Sequence, residues 1–441
     1  LTQRYSLKSI WEESALPDLA YSFKLALGPA KIIIAFSGVL AVCVLGAVMD
    51  MCSQNVIVYR PETAAAGLAS RSELDIYIAA NPAQTKRFIK EHQTQTYRQG
   101  VFSTLWKFAA GRFHAAVFQL LNLDNANLFA NVKFALTNIW LCIRAVGWAF
   151  RFHPMYSLIF FTAAFLVFVF TGGTICRCAA LEFAQGEKPG LLEAVSYVTE
   201  NCRAFLSAPL LPMGLVSLAA FVIFAVGLAG SISHAGELII ALLFGLLLVF
   251  GFVITVMVMG TIAGGLLLFP AIAYEKTTGL DSIGRSFCYV LSCPVRMFYY
   301  VLVSGIFGTF FYLIIRLVLF GILRFTYGLL LAGMMTAGAG SKLERIWPKP
   351  DFMDFLKRSS SAVGWTESAA SIVIYVFMLV IVGLLLSYVV SYFFSTATVI
   401  YALMRRKVDN VELNRIYIHL QQIGKNIPLD PRNACNRDST A

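Results

Sequence analysis

The sequence predicts an all-α fold: a polytopic helical membrane protein with about six transmembrane helices, interfacial amphipathic helices and two repeated helical hairpins. Three observations predict it. Of 441 residues, 58% are hydrophobic and only 13% charged, whereas a soluble domain carries about 25% charged residues. Mean hydropathy is positive. Above all, Leu238 to Ala273 is a run of 36 residues without a charge, with Thr255 and Thr261 as its only hydroxyls. An apolar run of about eighteen residues already reads as a transmembrane helix.

That central run is longer than one crossing needs. At about 1.5 Å per residue it reaches roughly 54 Å, against a hydrocarbon core of about 30 Å. It therefore has to tilt, project into water or break. Gly245, Gly251, Gly260, Gly264 and Gly265 punctuate it, and Pro270 near its end is the expected kink. Gly260 and Gly264 stand at the GxxxG spacing that lets another helix approach closely. Ordinary glycine usage in membrane helices accounts for the pair equally well.

Residues 1–31 read as an interfacial lead-in, with Trp11, Leu16, Leu19, Phe23 and Leu27 offering an apolar face interrupted by Pro17 and Pro29. The chain opens on Leu1, so the expectation is a processed or incomplete N-terminus. Residues 32–49 form the first transmembrane helix and read as a retained anchor rather than a signal peptide. Residues 50–154 are a long segment, polar at first and then amphipathic. Up to about Gly100 it is water-compatible. From Val101 to Leu120 apolar residues recur at helical spacing, with Lys107 and Arg112 among them, and 131–150 repeats the style around Lys133 and Arg144. Basic residues interleaved with aromatics could contact nucleic acid. A helix lying in the membrane interface explains them better. Residues 131–150 could also cross, at a cost of about 2.5–3.5 kcal/mol for a charge near the centre.

Residues 155–322 are the membrane core. Its crossings are 155–175, 205–232, the central run and 298–320. Residues 323–370 form an extramembrane loop. The apolar piece 327–335 within it either extends the fifth helix or lies re-entrant. Residues 371–404 hold the last transmembrane helix, and 405–441 are a basic cytoplasmic tail. Lys and Arg in the short connections number 17 on the side of the termini and 6 on the other. The positive-inside rule then places both termini in the cytoplasm. The net charge of +11 points to anionic lipid headgroups and not to nucleic acid, because the basic residues flank apolar spans.

The two short inside connections echo each other. Each begins with an acidic, glycine-containing turn, at Glu182 and at Glu275, and continues as an amphipathic stretch, Leu191 to Arg203 and Leu280 to Arg296. The crossings around them read as two hairpins of one kind, each tipped by a short helix. In the second connection Pro270, Glu275, Gly284, Arg285, Ser286 and Phe287 form a pattern: an apolar helix ending in Glu, a turn, then Gly-Arg-Ser-aromatic leading to the next span. This resembles bacterial multi-pass families, among them the membrane domain associated with glycerophosphodiester phosphodiesterases and the YciC-like proteins. The resemblance covers about 50 of the 441 residues. It implies a bacterial cytoplasmic membrane protein and carries no catalytic residues across, since no phosphodiesterase domain accompanies it.

The search for chemistry is largely negative. Cys176, Cys178, Cys202, Cys288 and Cys293 fall in the two connections, but their spacings match no zinc or iron–sulfur pattern and read as structural thiols. His92, His114, His153, His234 and His419 are dispersed, and no HExxH, GxSxG or Walker sequence occurs. No catalytic, cofactor-binding or metal-binding residue is assigned, and no cofactor is expected. Arg316 is the one ionisable group well inside a span. It lies about 27 Å along its helix from Phe298, near the outer interface, where it can snorkel. Glu237 opens the fourth span at a similar level and is its expected partner. The absence of a mid-depth carboxylate argues against ion-coupled transport.

The expected function is a non-catalytic integral membrane protein: a scaffold, an accessory subunit of a membrane complex, or a lipid-organising protein. Its contact surface would be the hairpin tips and tail, with Arg203, Arg285, Arg296, Arg405, Arg406 and Lys407 meeting anionic headgroups or partner membrane subunits. The alternative is a transporter or permease that moves a small or lipidic solute. A lipid-modifying enzyme is a third class, for which no polar cluster is visible.

Overall fold

The computed structural model describes residues 15–59, 71–79, 82–92, 97–121, 128–231, 236–336, 340–352, 355–356 and 364–417. These are almost wholly helical, and six of the helices are long and apolar enough to cross a membrane. In chain order the elements are α1 (Leu16–Ala26), α2 (Pro29–Cys52), β1 (Val56–Tyr59), β2 (Arg71–Ser72), α3 (Glu73–Ala79), α4 (Pro82–Glu91), β3 (Tyr97–Gln99), α5 (Val101–Leu121) and α6 (Leu128–Phe152). There follow α7 (Pro154–Gln185), α8 (Leu191–Glu200), α9 (Cys202–Ala229), α10 (Gly236–Gly264), α11 (Leu268–Glu275), α12 (Gly279–Ser292), α13 (Pro294–Thr336), α14 (Gly340–Ile346) and α15 (Trp365–Val408). The six long apolar spans are α2, α7, α9, the run Gly236–Glu275, α13 and α15. Pro29, Pro82, Pro154 and Pro294 each stand first in their helix. Proline suits that place because its φ is already helical and the amide hydrogen it lacks would have no acceptor there.

The chain divides into two compact units. One comprises Leu1–Leu25, Gly173–Val301 and Phe394–Ala441, the other Ala26–Gly172 and Leu302–Phe393. In the second unit Val56, Leu74, Val101, Ala145, Trp148, Ala149, Tyr156 and Phe160 form a buried apolar cluster. β1 is the middle of a three-stranded antiparallel sheet of order β2-β1-β3, with Val58 opposite Ser72 and Val56 opposite Gln99. This small sheet, which the sequence did not announce, interrupts an otherwise helical fold. Its strands are too short to show alternation, and Val56, Ile57 and Val58 are all buried, so no period of two is written in them. Asp50, at the end of α2, starts α5: its carboxylate accepts from the amides of Phe102 at 3.0 Å and Ser103 at 2.8 Å, and from the Tyr156 hydroxyl at 2.7 Å. It thus satisfies amide hydrogens that the first turn of a helix leaves over. α5 and α6 then pack side by side.

In the first unit the central run breaks where glycine allows it. α10 ends at Gly264, one 3-10 turn spans Gly265–Leu267, and α11 continues to Glu275. The break lies at the glycine pair and not at Pro270. Pro270 sits in the first turn of α11, where its missing amide hydrogen costs nothing. α12 packs against α9, α10 and α11. Its Ser282, Ile283, Ser286 and Tyr289 are buried, so this face of the tip helix is covered by the chain itself. Gly260 and Gly264 receive α12: a Cβ on Gly260 would come within 2.5 Å of the Phe287 ring, and one on Gly264 within 3.3 Å of the Ser286 Cβ.

Two further expectations change. α7 runs unbroken to Gln185, so Cys176, Arg177 and Cys178 are buried in a helix instead of lying in a polar connection. α13 is continuous to Thr336, so the apolar piece 327–335 extends the fifth helix.

The Gly260–Phe287 contact gives a direct test. Gly260→Val is expected to destabilise the protein by about 1–3 kcal/mol through overpacking, read as a lowered thermal midpoint in mild detergent. Gly251→Val, where a Cβ would meet nothing, is the matched control and should leave the midpoint nearly unchanged.

Candidate functional site

The first unit holds a polar centre at the end of α11. The last carbonyls of a helix have no partner within it, and Leu268–Tyr274 are all buried. Arg177 supplies one answer. Its guanidinium is 2% exposed, and it donates to the Ala273 carbonyl at 2.8 Å and to the Tyr417 carbonyl at 2.9 Å. The cation lies over the Tyr197 ring, 4.1 Å from its centroid. The Tyr197 hydroxyl donates to the Ile272 carbonyl at 2.7 Å, and the Tyr417 amide donates to the Tyr274 carbonyl at 2.9 Å. Lys276 turns the chain out of the helix in the left-handed region, with φ 54°, and its amide returns to the Ile272 carbonyl. A cation at a helix C-terminus also meets the negative end of the helix dipole.

Glu275, the last residue of α11, gathers the charges. Its carboxylate pairs with Arg285 of α12 and, at 2.8 Å, with Arg405 of α15, and it accepts from the Tyr401 hydroxyl at 2.9 Å. Tyr289 donates to Asp409 at 2.5 Å, and Arg405 also donates to the Arg415 carbonyl at 2.6 Å. Burial pulls the Arg285 guanidinium down, but the Glu275 carboxylate together with Tyr401 and Tyr289 outweighs it and leaves Arg285 raised. Burial pushes the Tyr197 hydroxyl up to about 12, against the pull of Arg177. Asp18 in α1 is also raised by burial, and Arg406 partly offsets this.

The residues expected to form a cationic contact surface therefore separate. Arg285 and Arg405 are bound to Glu275. Arg203, Arg296, Arg406 and Lys407 are exposed. Large apolar side chains on or beside the tip helices are exposed as well: Leu192, Leu280, Leu291 and Val295. Of the residues that carry the family resemblance, Gly284 is exposed with open space around it, and the others are engaged in packing or pairing. Pro270 starts α11, Glu275 ties down two arginines, Ser286 donates to the Ser282 carbonyl at 2.8 Å, and Phe287 seats on Gly260.

A second polar centre lies in the second unit. Arg316 of α13 is 2% exposed. Its Nε and Nη2 donate to the Phe352 carbonyl at 3.1 and 2.6 Å, and its Nη1 donates to the Tyr312 hydroxyl at 2.7 Å and lies 3.1 Å from Nε2 of His114. The rings of Phe118, Phe352 and Phe355 surround the cation at 5.9, 5.3 and 4.9 Å. These partners all belong to its own unit. The expected partner, Glu237, belongs to the other unit and is exposed at the start of α10. Arg316, Tyr312 and His114 line one side of a cavity of about 360 Å³.

Sequence reading missed Arg177, the Glu275 centre and the buried Lys31 of α2. It also missed a buried acid–base pair. Glu73 accepts from the Ile57 amide at 2.7 Å, and its other oxygen lies 3.6 Å from Nε2 of His153. The Trp148 indole nitrogen, whose ring lies beside His153, has no hydrogen-bond partner among the described residues. No group of three or more His, Cys, Asp or Glu residues placed to hold a metal occurs among the described residues.

No family model, curated protein or solved structure matches this chain.

Two outcomes test the first centre. Glu275→Gln should cost about 3 kcal/mol, because Arg405 stays buried without its counter-ion. Arg285→Gln should cost under about 1 kcal/mol, since Arg285 is 44% exposed. Thermal unfolding of both variants checks the ratio. The folded state raises the Tyr197 hydroxyl from 10.0 to about 12. Its contribution is therefore complete below pH 10 and lost as the pH rises towards 12. Tyr197→Phe should remove that share of the alkaline loss of stability.

Proposed function

We propose that this chain is a multi-pass integral membrane protein with a non-catalytic role, a scaffold, accessory subunit or lipid-organising protein, with both termini on the cytoplasmic side. The membrane reading is supported by six helices of sufficient length and apolarity, with large apolar side chains exposed along them. In water such a surface far exceeds what monomeric soluble proteins expose, whereas hydrocarbon accommodates it.

The observation that carries the role is the rigid tip of the second hairpin. Glu275 fixes α11, α12 and α15 together by charge-assisted bonds. That ties Arg285 and Arg405 to Glu275, while Arg203, Arg296, Arg406 and Lys407 are exposed, and Arg296 directly follows the exposed Val295. Cations beside exposed leucine and valine are the composition that seats on an anionic headgroup layer. The polar centres use their side chains for structure: Arg177 is committed to backbone carbonyls and Glu275 to two arginines. Neither offers the convergent nucleophile, base and oxyanion donors that catalysis needs. In this reading the resemblance to bacterial multi-pass families is a likeness of a packing unit and not of an activity.

The test is purification from the native membrane in mild detergent, with mass spectrometry of the proteins and lipids that accompany the chain. Retained anionic lipid or a stoichiometric membrane partner is expected. Replacing Arg203, Arg296, Arg406 and Lys407 together by Gln should reduce retention by about tenfold or more, at about 1 kcal/mol per basic residue near an anionic surface. A lone monodisperse monomer that moves a solute in liposomes would overturn the reading in favour of transport.

A further inference from the structure

Two further long helices, α5 and α6, are less apolar than the six spans yet long enough to cross. They hold 21 and 25 residues, so they reach about 31 and 37 Å against a hydrocarbon core of about 30 Å. Their ends lie with the ends of two spans. Asp50, near the end of α2, accepts from the first turn of α5 and from Tyr156 in the first turn of α7. α6 ends at Phe152, and α7 begins at Pro154. At the far end Gln119 of α5 donates to Asn131 of α6 at 3.0 Å. The chain thus runs out along α2, back along α5, out along α6 and back along α7.

α5 lies lengthwise among three spans. The Phe102 ring covers Gly46 of α2, Phe113 meets the Tyr312 ring of α13 at 5.4 Å between centroids, and Trp106 and Phe113 share a cavity wall with Val382 and Val389 of α15. A helix hemmed in this way follows the spans, whereas an interfacial helix lies across them. α6 is the outer member of the pair. Its Leu136, Ile139, Trp140 and Ile143 are each more than half exposed, and with Phe150 they form one stripe at helical spacing. The stripe continues onto α7, where Phe161 stacks on Phe150 at 5.2 Å and Leu158 and Ile159 are exposed. Water is a poor neighbour for such a surface. The basic residues suit a crossing as well. Lys107 and Lys133 are exposed within two turns of a helix end, from where they can snorkel. Arg144 donates to the Tyr77 and Ile78 carbonyls at 3.3 and 3.4 Å, and the Arg112 cation lies 4.9 Å from the centre of the Phe108 ring.

We propose that α5 and α6 are two further membrane crossings, packed as a hairpin, and that the α6 stripe is a lipid-facing surface that meets acyl chains. The proposal rests on the membrane reading given above. Because the crossings come as a pair, they leave both termini on one side.

Trp140, the middle residue of α6, reports the depth. The protein is reconstituted in phosphatidylcholine nanodiscs whose acyl chains carry bromine either near the headgroup or deep in the chain. The Trp140 signal is the difference between the wild-type protein and Trp140→Phe. Deep bromine should quench it at least about twofold more strongly than shallow bromine, because the middle of a crossing helix lies near the bilayer centre. Iodide in the water should leave it unchanged. Phe134→Trp in the Trp140→Phe background moves the reporter about 9 Å towards a helix end, and the preference should turn to shallow bromine. Phe377→Trp in the same background reads an exposed position on span α15 and should be quenched by lipid. Shallow quenching alike at both α6 positions, with access to iodide, would show a helix lying in the interface and would overturn the proposal. Quenching of Trp140 by neither bromine nor iodide would show that a second copy or another protein covers the stripe, and would overturn it as well. In both cases lipid quenching of the α15 reporter leaves the membrane reading standing, whereas its absence there overturns both.

Discussion

A helix that stops among apolar neighbours leaves carbonyls with nowhere to turn, and the first unit is arranged around that constraint. Breaking the long central run at Gly264 and Gly265 makes α11, a two-turn helix whose residues are buried as far as Tyr274. Water cannot serve its last carbonyls. Tyr197 serves Ile272, Arg177 serves Ala273, and the amide of Tyr417 serves Tyr274. Each unmet carbonyl would cost about 1–3 kcal/mol, so the three together explain why α7, α8 and the segment after α15 converge on one point. The chain reverses into α12 at Lys276, which leaves α11 in the left-handed region.

Glu275 extends the same logic from dipoles to charges. A carboxylate at a helix C-terminus is unfavourably placed with respect to the dipole. Two guanidinium groups and a tyrosine hydroxyl compensate it. The partners lie on α12 and α15, so the electrostatic repair also fixes the position of both elements. Removing one charge from such a set is far more damaging than never having had it, which makes the centre a device for holding one arrangement rather than a large net source of stability.

Residue by residue, the sequence shows long-range pattern and hides local breaks. Six apolar runs announce six helices, and the spacing from Val101 to Leu120 announces α5. The acidic turns at Glu182 and Glu275 mark where short helices begin. What could not be read is instructive. Arg177 looks like the first residue of a loop because a positive charge ordinarily ends an apolar run. It stays in the helix because its acceptors come from residues about 96 and 240 positions away, which no local window contains. Pro270 looks like the kink, yet glycine makes the break, because a proline in a first turn disturbs nothing. β1 escapes notice because it is buried on both sides. Arg316 was legible as an ionisable group inside a span, but the sequence placed it near the outer interface, where it would snorkel; it is buried instead, and its partners His114 and Phe352 were not legible, since nothing in the chain links 114 and 352 to 316 except the fold.

Arg177 and Arg316 show how an equally buried guanidinium is held. Arg177 is met by two backbone carbonyls and an aromatic face, groups that are themselves fixed by helices and by the segment at Tyr417, with packed side chains around them. Such a cation is a plug: its acceptors cannot leave without opening the end of α11. Arg316 gives two of its nitrogens to one backbone carbonyl, that of Phe352, and the third to a tyrosine hydroxyl and an imidazole, with phenylalanine rings around the cation. Both guanidinium groups therefore rest on acceptors and aromatic faces that the fold brings from distant parts of the chain, and a buried charge of this kind is stable only while those elements stay together.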